Sequence, residues 1–125
     1  MARPAVGKPE MLGSSARFGA HGERKKQVLA KVFPLKLKDG NQAKAEALIE
    51  AFAPVGPGQE EGTVSFRVYR DPSNPDYLLF VEHFADQAAY DAHTGSAAYQ
   101  EFIAGKFADM VVKFVELDHE LLISL

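Results

Sequence analysis

The chain has 125 residues, a length that suits one domain with a single hydrophobic core. It contains no cysteine, which excludes disulfides, cysteine–zinc sites, iron–sulfur clusters and a thiol nucleophile. The first 26 residues carry six basic and two acidic side chains, and the rest of the chain carries eight basic and fifteen acidic ones. Nucleic acid binding depends on the neutralisation of phosphates, so this acidic body predicts no nucleic acid partner.

Residues 1–24 are rich in glycine, proline, serine and arginine and show no hydrophobic period. They predict an N-terminal extension, followed by one domain over residues 25–125. The extension has few large apolar side chains with which to fold alone, so we expect Leu12 and Phe18 to anchor it on a partner subunit. The sequence has no apolar run of membrane-spanning length and no secretory signal, which predicts a cytoplasmic protein without a membrane partner.

The first elements are a strand and a helix. Apolar residues alternate between two faces from Gln27 to Leu37, which predicts a strand. Pro34 has no N–H for a sheet ladder, so this strand is expected to lie at an edge or to bend there. Asn41 predicts the N-cap of a helix that ends at Pro54. One apolar stripe on that helix comprises Ala45, Leu48, Ile49 and Phe52.

The second half of the domain predicts a hairpin, two short helices and a last strand. The hairpin strands are Thr63–Arg70 and Tyr77–Phe84, joined by a turn rich in Asp, Asn and Pro. Asp86 predicts the cap of a helix to about Ala92, and Ser96 predicts the cap of the next one. One side of that next helix carries Tyr99, Phe102, Ile103, Phe107 and Met110. The last strand is predicted from Val112 to Ile123.

This order of elements, β-α-β-β-α-β, predicts an α+β fold: a ferredoxin-like sandwich with its helices on one face of an antiparallel sheet. The second and third strands are apolar or aromatic on both faces, which an exposed antiparallel sheet would not be. We therefore expect the sheet of a second copy to cover the open face, giving a symmetric homodimer.

The segment GTVSFRVYRDPSNPDYLLFVEHFADQAAYDAHTGSAAYQEF contains a glycine before the second strand, a YRDP hairpin turn, a glutamate on the third strand and a helical AxxxH…S pattern. In these features the chain, from about Lys26 to Leu125, resembles the antibiotic biosynthesis monooxygenase domain, a dimeric α+β barrel family. The resemblance implies activities that range from cofactor-independent quinol-type oxygenases to isomerases of signalling molecules. The haem-degrading branch needs an asparagine where this chain has Phe33 and a tryptophan where it has Phe84, so haem degradation is not expected.

A glutamate and two histidines lie close together in FVEHFADQAAYDAH, residues 80–93. Strand parity places Glu82 on the same face as Phe80 and Phe84, and His83 on the opposite face. Adjacent Glu82 and His83 therefore cannot act on one substrate. The spacing of His83 and His93 is too loose for a metal site, and no metal is expected.

His93 and Glu82 are the predicted catalytic residues. His93 follows Ala89 by four residues, so both share a helix face, and a histidine that points into a cavity serves as a base near neutral pH. The alternative is that His93 caps the last carbonyls of its own helix. Glu82 is either an acid or base with a raised pKa or a structural group paired with a backbone N–H or Arg67.

The resemblance implies a cofactor-independent monooxygenase that acts on a small aromatic or quinol-type compound. In this interpretation His93 takes a proton and Glu82 or Tyr69 orients the ring. The predicted substrate-binding residues are Phe33, Tyr69, Phe84, Phe102 and Phe107. Two alternatives stay open: an isomerase or degrading enzyme for a small signalling metabolite, which needs no oxygen, and a non-catalytic dimeric module that binds a small apolar ligand.

Overall fold

The structure is a computed structural model that describes residues 28–125. The predicted extension, its anchors Leu12 and Phe18, and the first residue of the predicted first strand lie outside the described residues. The main elements, in chain order, are β1 (Leu29–Leu37), α1 (Gln42–Val55), β2 (Thr63–Arg70), β3 (Tyr77–Phe84), α2 (Gln87–Thr94), a π-helical segment (Tyr99–Ala104), a 3₁₀ turn (Phe107–Met110), β4 (Val111–Phe114) and β5 (Leu117–Glu120). A further short 3₁₀ turn, Pro57–Gln59, precedes β2.

The five strands form one antiparallel sheet in the order β2-β3-β1, with β4 and β5 both paired to the other side of β1. The helices pack on one face, where the core joins β1, β3, α1 and the 3₁₀ turn Phe107–Met110. This arrangement confirms the predicted ferredoxin-like α+β fold. Within residues 28–125, no helix is long and apolar enough to cross a membrane.

Pro34 interrupts the pairing of the last strand. β1 is an inner strand, so the predicted edge position for Pro34 is wrong. The Pro34 carbonyl accepts a hydrogen bond from the Val115 N–H at 3.1 Å. In an antiparallel ladder a residue's N–H and C=O point to the same neighbour, so the donor that Pro34 lacks is missing on the side of the last strand. There the chain forms two short strands, β4 and β5, in place of the single strand predicted from Val112 to Ile123.

The stripe on α1 packs against the sheet as predicted. Ala45, Ile49 and Phe52 are buried, and Leu48 packs partly against the same core. The helix begins after Asn41, but the Asn41 side chain makes no cap; it donates to the carbonyls of Lys38 and Asp39 instead. The helix also continues through Pro54 to Val55, one residue further than the sequence predicts.

The position of α2 depends on a cap and a glycine. The Asp86 carboxylate accepts from the Ala89 N–H at 2.9 Å, which confirms the predicted cap. At Gly62, just before β2, an added Cβ would lie 2.5 Å from the Ala89 Cβ. Only a residue without a side chain allows α2 to approach this closely, and this approach places the last turn of α2, with His93, over the sheet.

The segment after α2 is not a regular helix. Ser96 caps its start, since its hydroxyl accepts from the Tyr99 N–H at 3.1 Å. The chain then forms the π-helical segment Tyr99–Ala104 and, after two residues, the 3₁₀ turn Phe107–Met110. π-Helical turns widen a helix locally and are frequent at functional sites. Here the segment forms one wall of a cavity.

Candidate active site

A cavity of about 400 Å³ lies between the sheet and the segment formed by the π-helical and 3₁₀ turns. This volume falls within the range of small-molecule sites. Most of its wall is apolar, and its polar groups belong to Glu82, Tyr90, His93, Tyr99 and Glu116. The aromatic rings in its wall are those of Phe33, Phe52, Phe66, Phe80, Tyr90, Tyr99, Phe107 and Phe114. A cavity of this kind binds the flat apolar body of a ligand and orients it through a few polar atoms.

His93 is buried in the wall of this cavity and is only 2% exposed. Its Nδ1 lies 2.7 Å from Oε1 of Glu60, which also accepts from the Thr63 hydroxyl at 2.6 Å. Because a carboxylate only accepts, the hydrogen of this bond lies on Nδ1 of the imidazole. His93 therefore makes its strongest polar contact with a carboxylate from the loop before β2, and not with the last carbonyls of its own helix.

The other ring nitrogen of His93 faces Glu82. Nε2 lies 3.7 Å from Oε1 of Glu82, which is too long for a direct hydrogen bond but close enough for one oxygen atom of a ligand to contact both groups. Aromatic rings hold the imidazole in this orientation, with centroids 5.1 Å away for Phe84 and 5.3 Å away for Tyr99. The three side chains therefore lie in a row in the order Glu60, His93, Glu82, and the row ends at the cavity.

Glu82 is buried on β3 and lines the cavity. Burial raises the pKa of its carboxyl group to about 8; the negative charges of Glu60 and Glu116 add to this increase, and Lys31 opposes it. Glu82 is therefore mostly protonated at neutral pH and offers a hydroxyl donor and a carbonyl acceptor. It makes no hydrogen bond within the described part of the chain, so the partners predicted for a structural role, a backbone N–H or Arg67, do not hold it.

Two tyrosines complete the polar part of the wall. Burial raises the pKa of Tyr90 and of Tyr99 above the usual value, so both remain neutral phenols. The ammonium of Lys31 lies 4.2 Å from the centroid of the Tyr90 ring. Lys31 is buried and donates to Asp118 at 2.8 Å and to Glu116 at 3.1 Å.

The structure brings together only some of the predicted site residues. His93, Glu82, Phe33 and Phe107 line the cavity. Phe84 is completely buried and supports the His93 ring from behind, outside the cavity lining.

The remaining two lie elsewhere. Phe102 packs on Phe52 and under the Lys106 ammonium. Tyr69 pairs with Leu79 on the opposite face of the sheet and is 51% exposed, so it cannot reach a ligand in the cavity.

Sequence reasoning missed Glu60, Tyr90 and Tyr99. Glu60 follows a 3₁₀ turn in the loop between α1 and β2, where no hydrophobic period marks any residue. Tyr90 precedes His93 by three residues on α2, a spacing that places both on one face of the helix. The helix period could therefore have predicted Tyr90 as a neighbour of His93. Among residues 28–125, no group of three or more His, Asp or Glu side chains is arranged to hold a metal ion.

Comparisons with known proteins agree with this fold. The family model described as "antibiotic biosynthesis monooxygenase" matches residues 15–105. No curated protein matches the chain significantly.

Among solved structures, a candidate antibiotic biosynthesis monooxygenase from Bacteroides thetaiotaomicron has a TM-score of 0.71 and 20% identity, covering 77% of this chain and 90% of its own. A protein from Shewanella oneidensis has a TM-score of 0.71 and 23% identity, covering 80% and 96%. The protein Rv0793 from Mycobacterium tuberculosis has a TM-score of 0.69 and 18% identity, covering 78% and 97%. At these identities the likeness concerns the fold.

Proposed function

Because the chain belongs to the antibiotic biosynthesis monooxygenase family, we propose that it is a monooxygenase that oxidises a small phenol or quinol-type aromatic compound without a cofactor. The observation that carries this proposal is the row of side chains Glu60, His93 and Glu82, which ends at a cavity walled by aromatic rings. The rings suit a flat aromatic body, and the polar end suits a hydroxyl group.

In the proposed reaction, Nε2 of His93 takes the proton of a substrate hydroxyl. The resulting phenolate gives one electron to O₂, and the two radicals join in a new carbon–oxygen bond at a ring carbon. The peroxide accepts a proton from the Glu82 carboxyl, the ring carbon returns its hydrogen to Glu82 as a proton, and the O–O bond breaks as the leaving oxygen takes the proton that His93 holds. One oxygen atom stays on the ring as a carbonyl and the other leaves as water, so the substrate supplies all the electrons.

Oxygen uptake tests this function. A series of naphthols and hydroquinones is incubated with the protein in an oxygen electrode, and the products are identified by mass spectrometry. We expect uptake of one O₂ per quinone formed and incorporation of one labelled oxygen atom from ¹⁸O₂. Turnover of the same compounds at an equal rate under argon would contradict an oxygenase and would favour isomerisation or breakdown.

Glu60 is proposed as a positioning residue. Its carboxylate keeps the hydrogen of His93 on Nδ1, which leaves Nε2 free to accept a proton from the substrate. We predict that Glu60→Ala lowers kcat by about tenfold to 100-fold with little change in KM, since partners that orient a working imidazole have effects of this size. Glu60→Gln, whose amide oxygen still accepts from Nδ1, should recover most of the rate.

The readout for Glu60 is the tautomer of His93, measured by ¹⁵N NMR of the imidazole. In the wild-type protein and Glu60→Gln we expect the hydrogen on Nδ1; in Glu60→Ala we expect a mixture of tautomers. A loss of kcat in Glu60→Ala with an unchanged tautomer would assign Glu60 a purely structural role.

A homodimer is proposed for the open face of the sheet. This face exposes apolar side chains on three strands of the sheet, which include Tyr69 on β2, Leu79 on β3 and Leu117 on β5. Exposed apolar area of this extent is unusual for a monomer, and a second copy with the same face would cover it symmetrically.

We predict that Leu79→Asp weakens the dimer roughly 100-fold, because an unpaired carboxylate in such an interface costs about 2–3 kcal/mol or more. The matched control is Val55→Asp at the end of α1, a side chain that is 53% exposed and away from this face. Sedimentation velocity at micromolar concentration measures both. A monomeric wild-type protein, or equal dissociation of the two variants, would refute this interface.

A further inference from the structure

We propose that the cavity selects uncharged aromatic ligands and excludes anionic ones, such as carboxylates and phosphates. This inference deepens the proposed function and rests on it only in taking an aromatic compound as the ligand. It starts from the acidic side chains at the cavity. Glu82 and Glu116 line it, and Glu60 lies directly behind His93. Among the described residues, no lysine or arginine lines it.

The buried cation beside the cavity is already bound. The Lys31 ammonium donates to Asp118 at 2.8 Å and to Glu116 at 3.1 Å, and it lies 4.2 Å from the centroid of the Tyr90 ring. Burial lowers the pKa of Lys31, but the hydrogen bonds and charges of Asp118 and Glu116 outweigh this effect and raise the pKa above its ordinary value. Lys31 therefore stays charged, and two carboxylates neutralise it before any ligand arrives.

Glu82 supplies a second, independent observation that points to a ligand. Its side chain is only 6% exposed, it faces the cavity, and it has no hydrogen-bond partner in the described part of the chain. A neutral ligand hydroxyl satisfies such a carboxyl group, because it both donates and accepts. An anionic ligand would instead meet the carboxylate of Glu116 in a water-poor space, where like charges repel strongly.

The exclusion has a chemical consequence for the substrate. A phenol or quinol is uncharged when it enters and becomes an anion only after His93 has taken its proton, so the charge appears beside a newly formed imidazolium. A substrate that carries a carboxylate or phosphate would bring an extra negative charge that nothing in the wall compensates. The structure therefore assigns the protein to neutral hydroxyaromatic compounds.

Two probes of nearly equal shape test the inference without turnover: naphthyl methanol, which is neutral, and naphthoate, which is an anion at neutral pH. Isothermal titration calorimetry gives both dissociation constants for the whole protein. We expect naphthyl methanol to bind at least about tenfold more tightly, the size expected from one uncompensated like-charge contact. Equal affinity, tighter binding of naphthoate, or no binding of either probe would overturn the inference, whereas oxygen uptake tests the oxygenase separately.

A double variant tests the electrostatic cause. Glu116→Gln with Asp118→Asn removes both carboxylate partners of Lys31 and leaves its ammonium available to an anion, so naphthoate should gain affinity and the ratio of the two constants should fall at least about fivefold. The matched control is Glu101→Gln, an exposed carboxylate that pairs with Lys106. If the double variant does not fold, Asp118→Asn alone, at a side chain 61% exposed, should shift the ratio in the same direction. A ratio that stays at the wild-type value in the folded variants would overturn the inference.

Discussion

Replacement of His93 by glutamine should lower the rate of oxygen uptake with a phenol or quinol substrate by about 100-fold or more, the usual size of the effect of a missing general base. Glutamine keeps much of the volume and polarity of the side chain but cannot take a proton at neutral pH. The expected loss is in kcat, because the ring contacts that hold the substrate remain. Steady-state oxygen-electrode kinetics, with the thermal midpoint as a check on folding, measure this change.

His83 offers a matched control in the same chain. It lies one residue after Glu82 on β3, is half-buried, and contacts the Ser65 hydroxyl at 2.8 Å on the opposite face of the sheet. His83→Gln should change the rate less than threefold, since its ring cannot reach the cavity. If both variants lose activity equally, the loss reflects the fold or the dimer; if neither does, His93 is not the base and the proposed reaction fails.

The contrast between these histidines was already present in the sequence. Side chains on a strand alternate between faces, so parity alone separates Glu82 from His83, and the structure confirms that Glu82 is buried on the helix side. The four-residue spacing from Ala89 likewise predicted which way His93 points. Local periodicity was enough to predict the sheet face of Glu82 and the direction of His93, because each depends on one strand or one helix only.

The partner of His93 could not be found in this way. Glu60 precedes His93 by 33 residues, and the contact forms only when α2 packs against the start of β2 above Gly62. No period relates a loop residue to a helix terminus. The position of Tyr69 differs from the predicted one for a related reason. It depends on the register between β2 and β3, where Phe66 pairs with Glu82 and Tyr69 pairs with Leu79. A register is a property of two strands together, and one strand's pattern does not fix it.

The buried carboxyl group of Glu82 should make the protein less stable as the pH rises. Its pKa is about 8 in the folded protein against an ordinary 4.5, so between these values the folded state binds more protons than the unfolded one. The stability that this proton contributes is fully present below pH 4.5 and is lost as the pH rises to 8. At about 1.4 kcal/mol per pKa unit, the free energy of unfolding should decrease by up to roughly 5 kcal/mol across this range.

Glu82→Gln removes the titration and keeps the shape, so the variant should lose this part of the pH dependence and exceed the wild type in stability most clearly above pH 8. Urea unfolding at a series of pH values measures the difference between the two proteins, and Glu101→Gln serves as the control because its carboxylate is exposed. A difference that stays constant with pH would show that Glu82 ionises in the folded protein as it does in the unfolded chain. The predicted gain in stability, together with a loss of oxygen uptake in the same variant, would mean that the fold keeps a costly buried carboxyl group at this position because the reaction needs its proton.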